Sequence, residues 1–270
     1  MRAAVLGRPI AHSLSPLLHR AAYAALGLTD WTYDALDVGA EELPDLIAGL
    51  GPEWRGFSVT MPCKQAAVEV ADVVEPLPRM LGAANTLVRI DGGWRAENTD
   101  VVGIGMALQV GDVDSAPRAV ILGAGGTASA AAVALASLGA EHIEIVVREP
   151  ARAADLVRLL DRLDVATTVS GFGGSSLDAP LVVSTVPTAG QAAAAGLPWR
   201  AEHTVLDVLY DPWPTPLAAR VAAAGGRVIA GSDVLFWQAT VQVELMTGQA
   251  APLDAMRRAL VAALDRPPAP

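Results

Sequence analysis

Between Arg118 and Glu141 the chain runs for 22 residues without a formal charge, long enough to cross a bilayer if it were one helix. Three glycines forbid that reading. Gly123, Gly125 and Gly126 cut the run into a β-branched stretch at 119–122 and an Ala-rich stretch at 127–138 that stops at Gly139. What remains is a buried strand, a glycine turn and a buried helix. Gly123-Ala124-Gly125-Gly126-Thr127-Ala128 fits G-x-G-x-x-A in that context. The first glycine permits a tight turn, the second lets backbone approach a pyrophosphate, and the small last residue lets helix and strand pack closely. The phosphates would then lie on the N–H groups that open the helix. With another apolar run at 143–147, the segment predicts a dinucleotide-binding βαβ unit.

The end of that second strand bears on the choice of dinucleotide. An Asp or Glu there would accept hydrogen bonds from a ribose 2′-hydroxyl. Val147 is followed instead by Arg148, whose guanidinium suits a 2′-phosphate, so NADP(H) is the expected cofactor. Glu149 opposes this unless it points away or caps the helix that Pro150 begins.

Short apolar runs and helical patterns alternate along nearly the whole sequence, which predicts an α/β protein with mostly parallel strands. Candidate strands lie at 3–6, 31–37, 56–60, 86–90, 119–122, 143–147, 181–184, 204–208 and 227–229. Proline marks two helix starts, at Ser15-Pro16 and Met61-Pro62. The division falls near Asp100. Residues 1–100 with 233–270 are expected to form an α/β substrate-binding domain, and 101–232 a Rossmann-like, doubly wound dinucleotide-binding domain, with a cleft between them. The helices expected at 233–247 and 253–264 follow no further strand and would pack back on the first domain.

Composition narrows the partners. The formal net charge of −10 and the scattered Lys and Arg argue against a nucleic-acid surface. Cys63, the one cysteine, has no internal disulfide partner, and the opening residues lack a signal-peptide core, so a reducing, cytoplasmic setting is expected. A small-molecule substrate, no membrane, no metal and a candidate homodimer, with the oligomeric state left open, complete the expected partners.

Several short polar loops carry groups with chemical uses. Ser13 and Ser15 stand before a helix whose first N–H groups point the same way, an arrangement that suits an anion, although Ser15 alone would read as a helix cap. In the stretch from Gly56 to Lys64 a strand turns at Pro62 and is expected to present Lys64 in the first helical turn. A cation is electrostatically unwelcome beside that end of the helix dipole, which hints at a task. Asn85 and Asp100 add an amide and a carboxylate. A Lys–Asp pair can supply the proton that a carbonyl reduction needs, since hydride addition leaves an alkoxide.

Taken together these segments resemble the shikimate dehydrogenases. The resemblance rests on 7–19, 58–64, Ala84-Asn85-Thr86, Asn98-Thr99-Asp100, the glycine turn, 207–216 and 231–238, in order over nearly the whole chain. It implies NADPH-dependent reduction of 3-dehydroshikimate to shikimate, on the route to chorismate and aromatic amino acids. By that resemblance Ser13 and Ser15 would bind the substrate carboxylate, and Thr60, Asn85, Asp100 and Gln238 its hydroxyls and carbonyl. Lys64 and Asp100 would be the catalytic pair, with Tyr210 near nicotinamide and substrate. The glycine turn, Arg148, Thr185 and Gly231 would bind the cofactor.

The sequence departs from the family's usual residues at Ser58, at Val147-Arg148-Glu149 and at Ser184. The second departure leaves NADP preference resting on Arg148. Two other readings stay open: a quinate- or aminoshikimate-type relative using NAD, and a non-catalytic NADP(H)-binding paralogue.

Overall fold

A computed structural model describes residues 1–265. The chain divides at Asp100 and Leu235 into two units, 1–99 with the segment from Leu235 onward, and 100–234.

In the first unit the apolar runs become β1 (Arg2–Gly7), α1 (Ser15–Ala25), β2 (Thr32–Asp37), α2 (Leu43–Ala48) and β3 (Trp54–Val59). There follow α3 (Ala66–Glu69), β4 (Val73–Val74), α4 (Pro76–Leu81), β5 (Thr86–Ile90) and β6 (Gly93–Glu97). The sheet order is β2-β1-β3-β5-β6-β4. β1 pairs in parallel with β2 and β3, whereas β5 runs antiparallel to both β3 and β6, so this sheet is mixed. A hairpin makes the β5–β6 pair antiparallel. Ile90 pairs with Gly93, which leaves Asp91-Gly92 as a two-residue loop with Gly92 at φ 88°, a turn chemistry favoured in tight hairpins. Trp54, Phe57 and Trp94 pack ring on ring in the core, with centroids 4.9 and 5.3 Å apart.

The second unit comprises α5 (Asp100–Val110), β7 (Arg118–Leu122), α6 (Gly126–Ser137), β8 (His142–Val147), α7 (Ala154–Arg162) and β9 (Ala166–Gly171). It continues with β10 (Leu181–Ser184), α8 (Gln191–Ala195), β11 (Thr204–Asp207), α9 (Pro216–Ala223) and β12 (Arg227–Ala230). All its strands are parallel, in the order β12-β11-β10-β7-β8-β9. Counted from β7 this is the doubly wound order 3-2-1-4-5-6, with its switch point between β7 and β10. β7 and β10 are buried along almost their whole length, as strands covered on both faces must be.

α10 (Gly231–Thr247) leads out of this unit, and α11 (Leu253–Leu264) packs against α1 in the first. Arg257 of α11 lies 3.7 Å over the Phe236 ring of α10, a cation–π contact that joins the two helices. No helix among the described residues is long and apolar enough to cross a membrane.

Three strands escape the sequence reading for stated reasons. β4 is two residues long, β6 alternates over only five, and β9 is an edge strand with no fully buried residue. The expected helix start at Met61-Pro62 is also corrected. Residues 61–65 form a turn, closed by Cys63 N donating to Thr60 O at 2.9 Å, and the helix begins only at Ala66. The Met61–Pro62 peptide is cis, and the third position of such a turn is where a cis proline fits. Lys64 therefore lies in a turn before a four-residue helix, and the helix-dipole argument for it lapses.

His19 of α1 is fully buried and stacks on Tyr33 with ring centroids 4.0 Å apart. Burial lowers its imidazole to about 3, with Gln242 acting weakly in the opposite sense. The unfolded chain takes up a proton near pH 6.5 that the folded protein refuses, so stability held above pH 6.5 is lost as pH falls toward 3. In this window His19 steepens the acid-side loss by up to about 1.4 kcal/mol per pH unit. His19→Gln should flatten the fall of Tm between pH 6.5 and 4 when thermal melts are compared with wild type; parallel curves would reject this origin.

Candidate active site

In the first unit the sequence-selected groups collect at one end of the sheet, because strand direction puts them there. β1 and β3 end at this edge, β5 begins at it and β6 ends at it. The carboxyl ends of parallel strands are where α/β sheets hold ligands. Gly7, at the end of β1, has no room for a side chain: a Cβ would collide with the Thr60 side chain and lie 2.8 Å from Met61 O. Arg8 N donates to Met61 O at 3.0 Å, and Thr60 N to Leu6 O at 2.8 Å. The loop leading to Ser13 and the loop carrying Thr60 and Lys64 are thereby tied at their roots.

Ser13 Oγ accepts from Ser15 N at 3.3 Å, and Ser15 is the first residue of α1. The N-cap is Leu14, with no side-chain cap, so the reading of Ser15 as a cap is corrected. The amino end of α1 keeps first-turn N–H groups, beside two hydroxyls, for an anion. The turn that carries Lys64 is anchored underneath by Cys63, whose buried Sγ donates to Val38 O at 3.2 Å. Burial raises this thiol's pKa, so its part is packing. Lys64 O accepts from Ala84 N at 2.8 Å, which links the turn to the segment that enters β5.

At that entry Asn85 is 2% exposed. Its Oδ1 accepts from Thr99 N at 2.8 Å and from Thr86 Oγ1 at 2.9 Å, and its Nδ2 donates to Thr99 Oγ1 at 2.9 Å. Gln238 of α10 reaches the same cluster, with Oε1 3.4 Å from Asn85 Nδ2 and Nε2 donating to Leu235 O at 2.8 Å. Thr60, Asn85 and Gln238 thus belong to one unit and, through Thr99, Asn85 and Gln238 to one hydrogen-bonded group. Thr86 and Thr99 stand in polar stretches the sequence pointed to without assigning them a role of their own, and Gln242 in this group was missed by sequence reasoning. Gln242 could have been found from its place four residues after Gln238 on a helix.

In the second unit the glycine turn joins β7 to α6. Gly123 has φ 108°, and a Cβ there would come 2.5 Å from Thr185 Oγ1; Thr185 itself donates from N and Oγ1 to Leu122 O at 2.8 and 2.9 Å. Gly125 differs. A Cβ on it meets no atom within 4 Å, so protein packing does not demand glycine and the open space fits a close-lying phosphate. Gly125 is the N-cap of α6, which opens at Gly126 with no side-chain cap and no acidic residue in its first turn. Ala124 lies in the turn, Thr127 in the first helical turn, and Ala128 is fully buried.

Arg148 follows β8 exposed and, among the described residues, has no hydrogen-bond or ion-pair partner. Glu149 is exposed too and is the N-cap residue before Pro150, but its side chain makes no cap bond. Gly231 opens α10 where a Cβ would collide with Val208 O.

Tyr210 lies on the loop between β11 and α9, which Asp207 fastens at its root. This fully buried carboxylate accepts from Thr215 Oγ1 at 2.6 Å, Gln191 Nε2 at 3.3 Å and Leu209 N at 3.4 Å. Burial raises its pKa, and those bonds oppose the rise. Thr215 in turn caps α9 by accepting from Ala218 N at 3.0 Å. Asp100 is the first residue of α5 and 7% exposed, a carboxylate where a helix dipole favours one. No cluster of metal-ligating side chains occurs among the described residues.

Family comparison agrees with this architecture. A shikimate dehydrogenase substrate binding domain model matches residues 5–87, and a shikimate 5′-dehydrogenase C-terminal domain model matches 231–261. The chain is 36% identical to the shikimate dehydrogenase (NADP(+)) of Geobacter metallireducens, over 97% of this chain and 96% of that one. Among solved structures, Mycobacterium tuberculosis shikimate dehydrogenase superposes with a TM-score of 0.87 at 49% identity, covering 97% of this chain and 99% of that one. The Thermus thermophilus shikimate 5-dehydrogenase, in complex with NADP(H) and shikimate, gives 0.83 at 32% identity, covering 97% and 99%.

The two glycines of the turn should separate in experiment. Gly123→Ala should cost about 1–3 kcal/mol of stability in chemical denaturation, through its φ and the contact with Thr185. Gly125→Ala should leave stability within about 0.5 kcal/mol yet weaken NADP binding about tenfold by calorimetry, as loss of one charge-assisted hydrogen bond does. Unchanged NADP affinity in Gly125→Ala would remove the phosphate from this position.

Proposed function

The chain belongs to the shikimate dehydrogenase family, and from that premise we propose that its polar strand-end cluster binds shikimate while the glycine turn binds NADP(H). The protein is an oxidoreductase that interconverts 3-dehydroshikimate and shikimate with NADP(H). The observation that carries the substrate assignment is the character of the first unit's site. Ser13, Ser15, Thr60, Asn85 and Gln238 offer hydroxyls, amides and an uncapped helix end, which suit a small acid rich in hydroxyls and poor in apolar surface.

NADPH, when bound, supplies the hydride. The residues of this chain do the rest. Ser13, Ser15 and the first N–H groups of α1 hold the carboxylate, fixing one end of the ring. Thr60, Asn85 and Gln238 hold its hydroxyls and leave the carbonyl one orientation. As hydride reaches the carbonyl carbon, the oxygen gains charge and takes a proton from Lys64 Nζ; in the reverse direction the Lys64 amine accepts the hydroxyl proton. Asp100 orients and charge-stabilises the ammonium. Arg148 grips the 2′-phosphate of NADP(H), and Tyr210 lines the reacting end.

Initial rates with shikimate and quinate, each with NADP and NAD, test the assignment directly. Shikimate with NADP should be fastest, and quinate outrunning shikimate would overturn it. Lys64→Ala should lower kcat by about 10²–10⁴-fold with a small change in shikimate KM; an intact kcat would remove Lys64 from the chemistry. Arg148→Leu should raise the KM for NADP about tenfold or more and leave that for NAD nearly unchanged, since only NADP has the phosphate to lose. Equal effects on both cofactors would make the arginine structural.

A further inference from the structure

The second unit carries a polar cavity that the reaction does not use, at the ends of β7 and β8 opposite to the glycine turn and Arg148. It measures about 260 Å³ and is lined by Arg118, His142, Glu144, Thr168, Ser176 and Asp178. Arg118 opens β7 and His142 opens β8, and the two are register partners; two residues further on, Glu144 is the partner of Thr168 in β9. Side chains two apart on a strand share a face, and register partners share it across strands. These four groups therefore stand on one side of the sheet. Further along, the same side is apolar, where Val120 and Val146 belong to the buried core.

The remaining wall is the loop that enters β10, held in an uncommon conformation. Leu177 is fully buried at φ 51°, a left-handed backbone that a bulky side chain rarely adopts. Its carbonyl oxygen accepts from His203 Nε2 at 3.0 Å and from Arg200 Nη2 at 2.9 Å, and Arg200 Nη1 donates to Ser176 O at 3.2 Å. With Leu177 turned inward and strapped there, Ser176 and Asp178 on either side of it are exposed and line the cavity. Sites that bind ligands are where such backbone strain concentrates.

The charges around this cavity do not pair with one another. Among the described residues Arg118 and Asp178 make no side-chain hydrogen bond or ion pair. Glu144 uses only Oε1, which accepts from Ser170 Oγ at 2.6 Å, and its second oxygen faces no donor. A simple anion would meet two carboxylates here and a simple cation would meet a guanidinium, so each is repelled by part of the wall. No group of His, Cys, Asp and Glu among the described residues is placed to hold a metal ion. A ligand that carries both charges satisfies both sides. We propose that this cavity binds a free α-amino acid, its carboxylate on Arg118 and its ammonium between Glu144 and Asp178. The volume is below the range of about 300–1,000 Å³ typical of drug-sized ligands, and Ala119 and Ala179, both buried, line it with small side chains.

The test is an NMR titration of the ¹⁵N-labelled full chain with L-serine, L-alanine and L-glutamine in turn, following the backbone amides of 176–179. At least one should give saturable shifts with a Kd in the millimolar range or tighter. For L-serine or whichever binds best, the N-acetyl derivative, which lacks the ammonium, and the amide, which lacks the carboxylate, should each bind about tenfold more weakly, as loss of one charge-assisted bond does. Arg118→Gln and Asp178→Asn should weaken binding to a similar degree and leave the KM values for NADP and shikimate unchanged. Both residues are exposed, so these variants decide the matter even where Glu144→Gln, which disturbs the bond from Ser170, fails to fold. Saturating NADP should leave the titration in place. Absence of saturable shifts with all three amino acids would overturn the proposal and leave a solvated polar surface. Equal binding of the derivatives, unchanged affinity in Arg118→Gln, or displacement by NADP would overturn it as well.

Discussion

Both ligands of this enzyme are anions, and the chain that must hold them carries a formal charge of −10. A field of that sign repels both at long range, so attraction has to be built at short range from groups whose orientation is fixed. Backbone N–H groups at helix starts meet that demand, since their partial charge cannot be screened by moving away. α1 opens at Ser15 and α6 at Gly126, each without a side-chain cap. An acidic cap at either place would satisfy the helix and repel an anion. Lys64 and Arg148 are the cations proposed for the proton and the 2′-phosphate, and net charge by itself would have misjudged the ligands' sign.

The second unit was legible in the sequence because its signals are local. A β-branched run, a glycine turn and an Ala-rich helix are contiguous, and each implies the next. β9 was not legible, since an edge strand without a buried face leaves no alternation to read. Around Lys64 the sequence misled: proline at a helix start and proline in a tight turn look alike in one dimension. The bond from Cys63 N to Thr60 O and the packing of Cys63 on Val38 settle which it is. The helix-dipole reason for singling out Lys64 therefore does not apply in this turn. The turn is short and its backbone is anchored, with Lys64 O accepting from Ala84 N at 2.8 Å.

The cluster proposed to hold the substrate draws its members from stretches visible in the sequence and its support from contacts that are not. Ser13, Thr60, Asn85 and Gln238 sit in short recognisable stretches, whereas Gln242 meets Ser58 across 184 residues of sequence and Asn85 across 157. No window contains such a pairing. Asp207 is a similar case in the second unit: it stood in a recognised stretch with no role, and only the fold shows it gathering Gln191, Thr215 and Leu209 N at the root of the Tyr210 loop.

Buried polar groups of this kind add little net stability, because each bond replaces one with water and each missing partner is costly. Their use lies in specificity of state. An apolar residue in place of Gln242 or Ser58 would fill the volume and leave an equally compact unit, but it would deprive the Asn85 carbonyl or the Tyr33 hydroxyl of a buried partner. The chain of bonds from Tyr33 to Asn85 converts packing, which fixes where a side chain is, into orientation, which fixes what it can recognise. That conversion suits the site proposed for a small polyhydroxylated acid, which is backed by a second layer of hydroxyls and amides where an ordinary core would place leucine and valine.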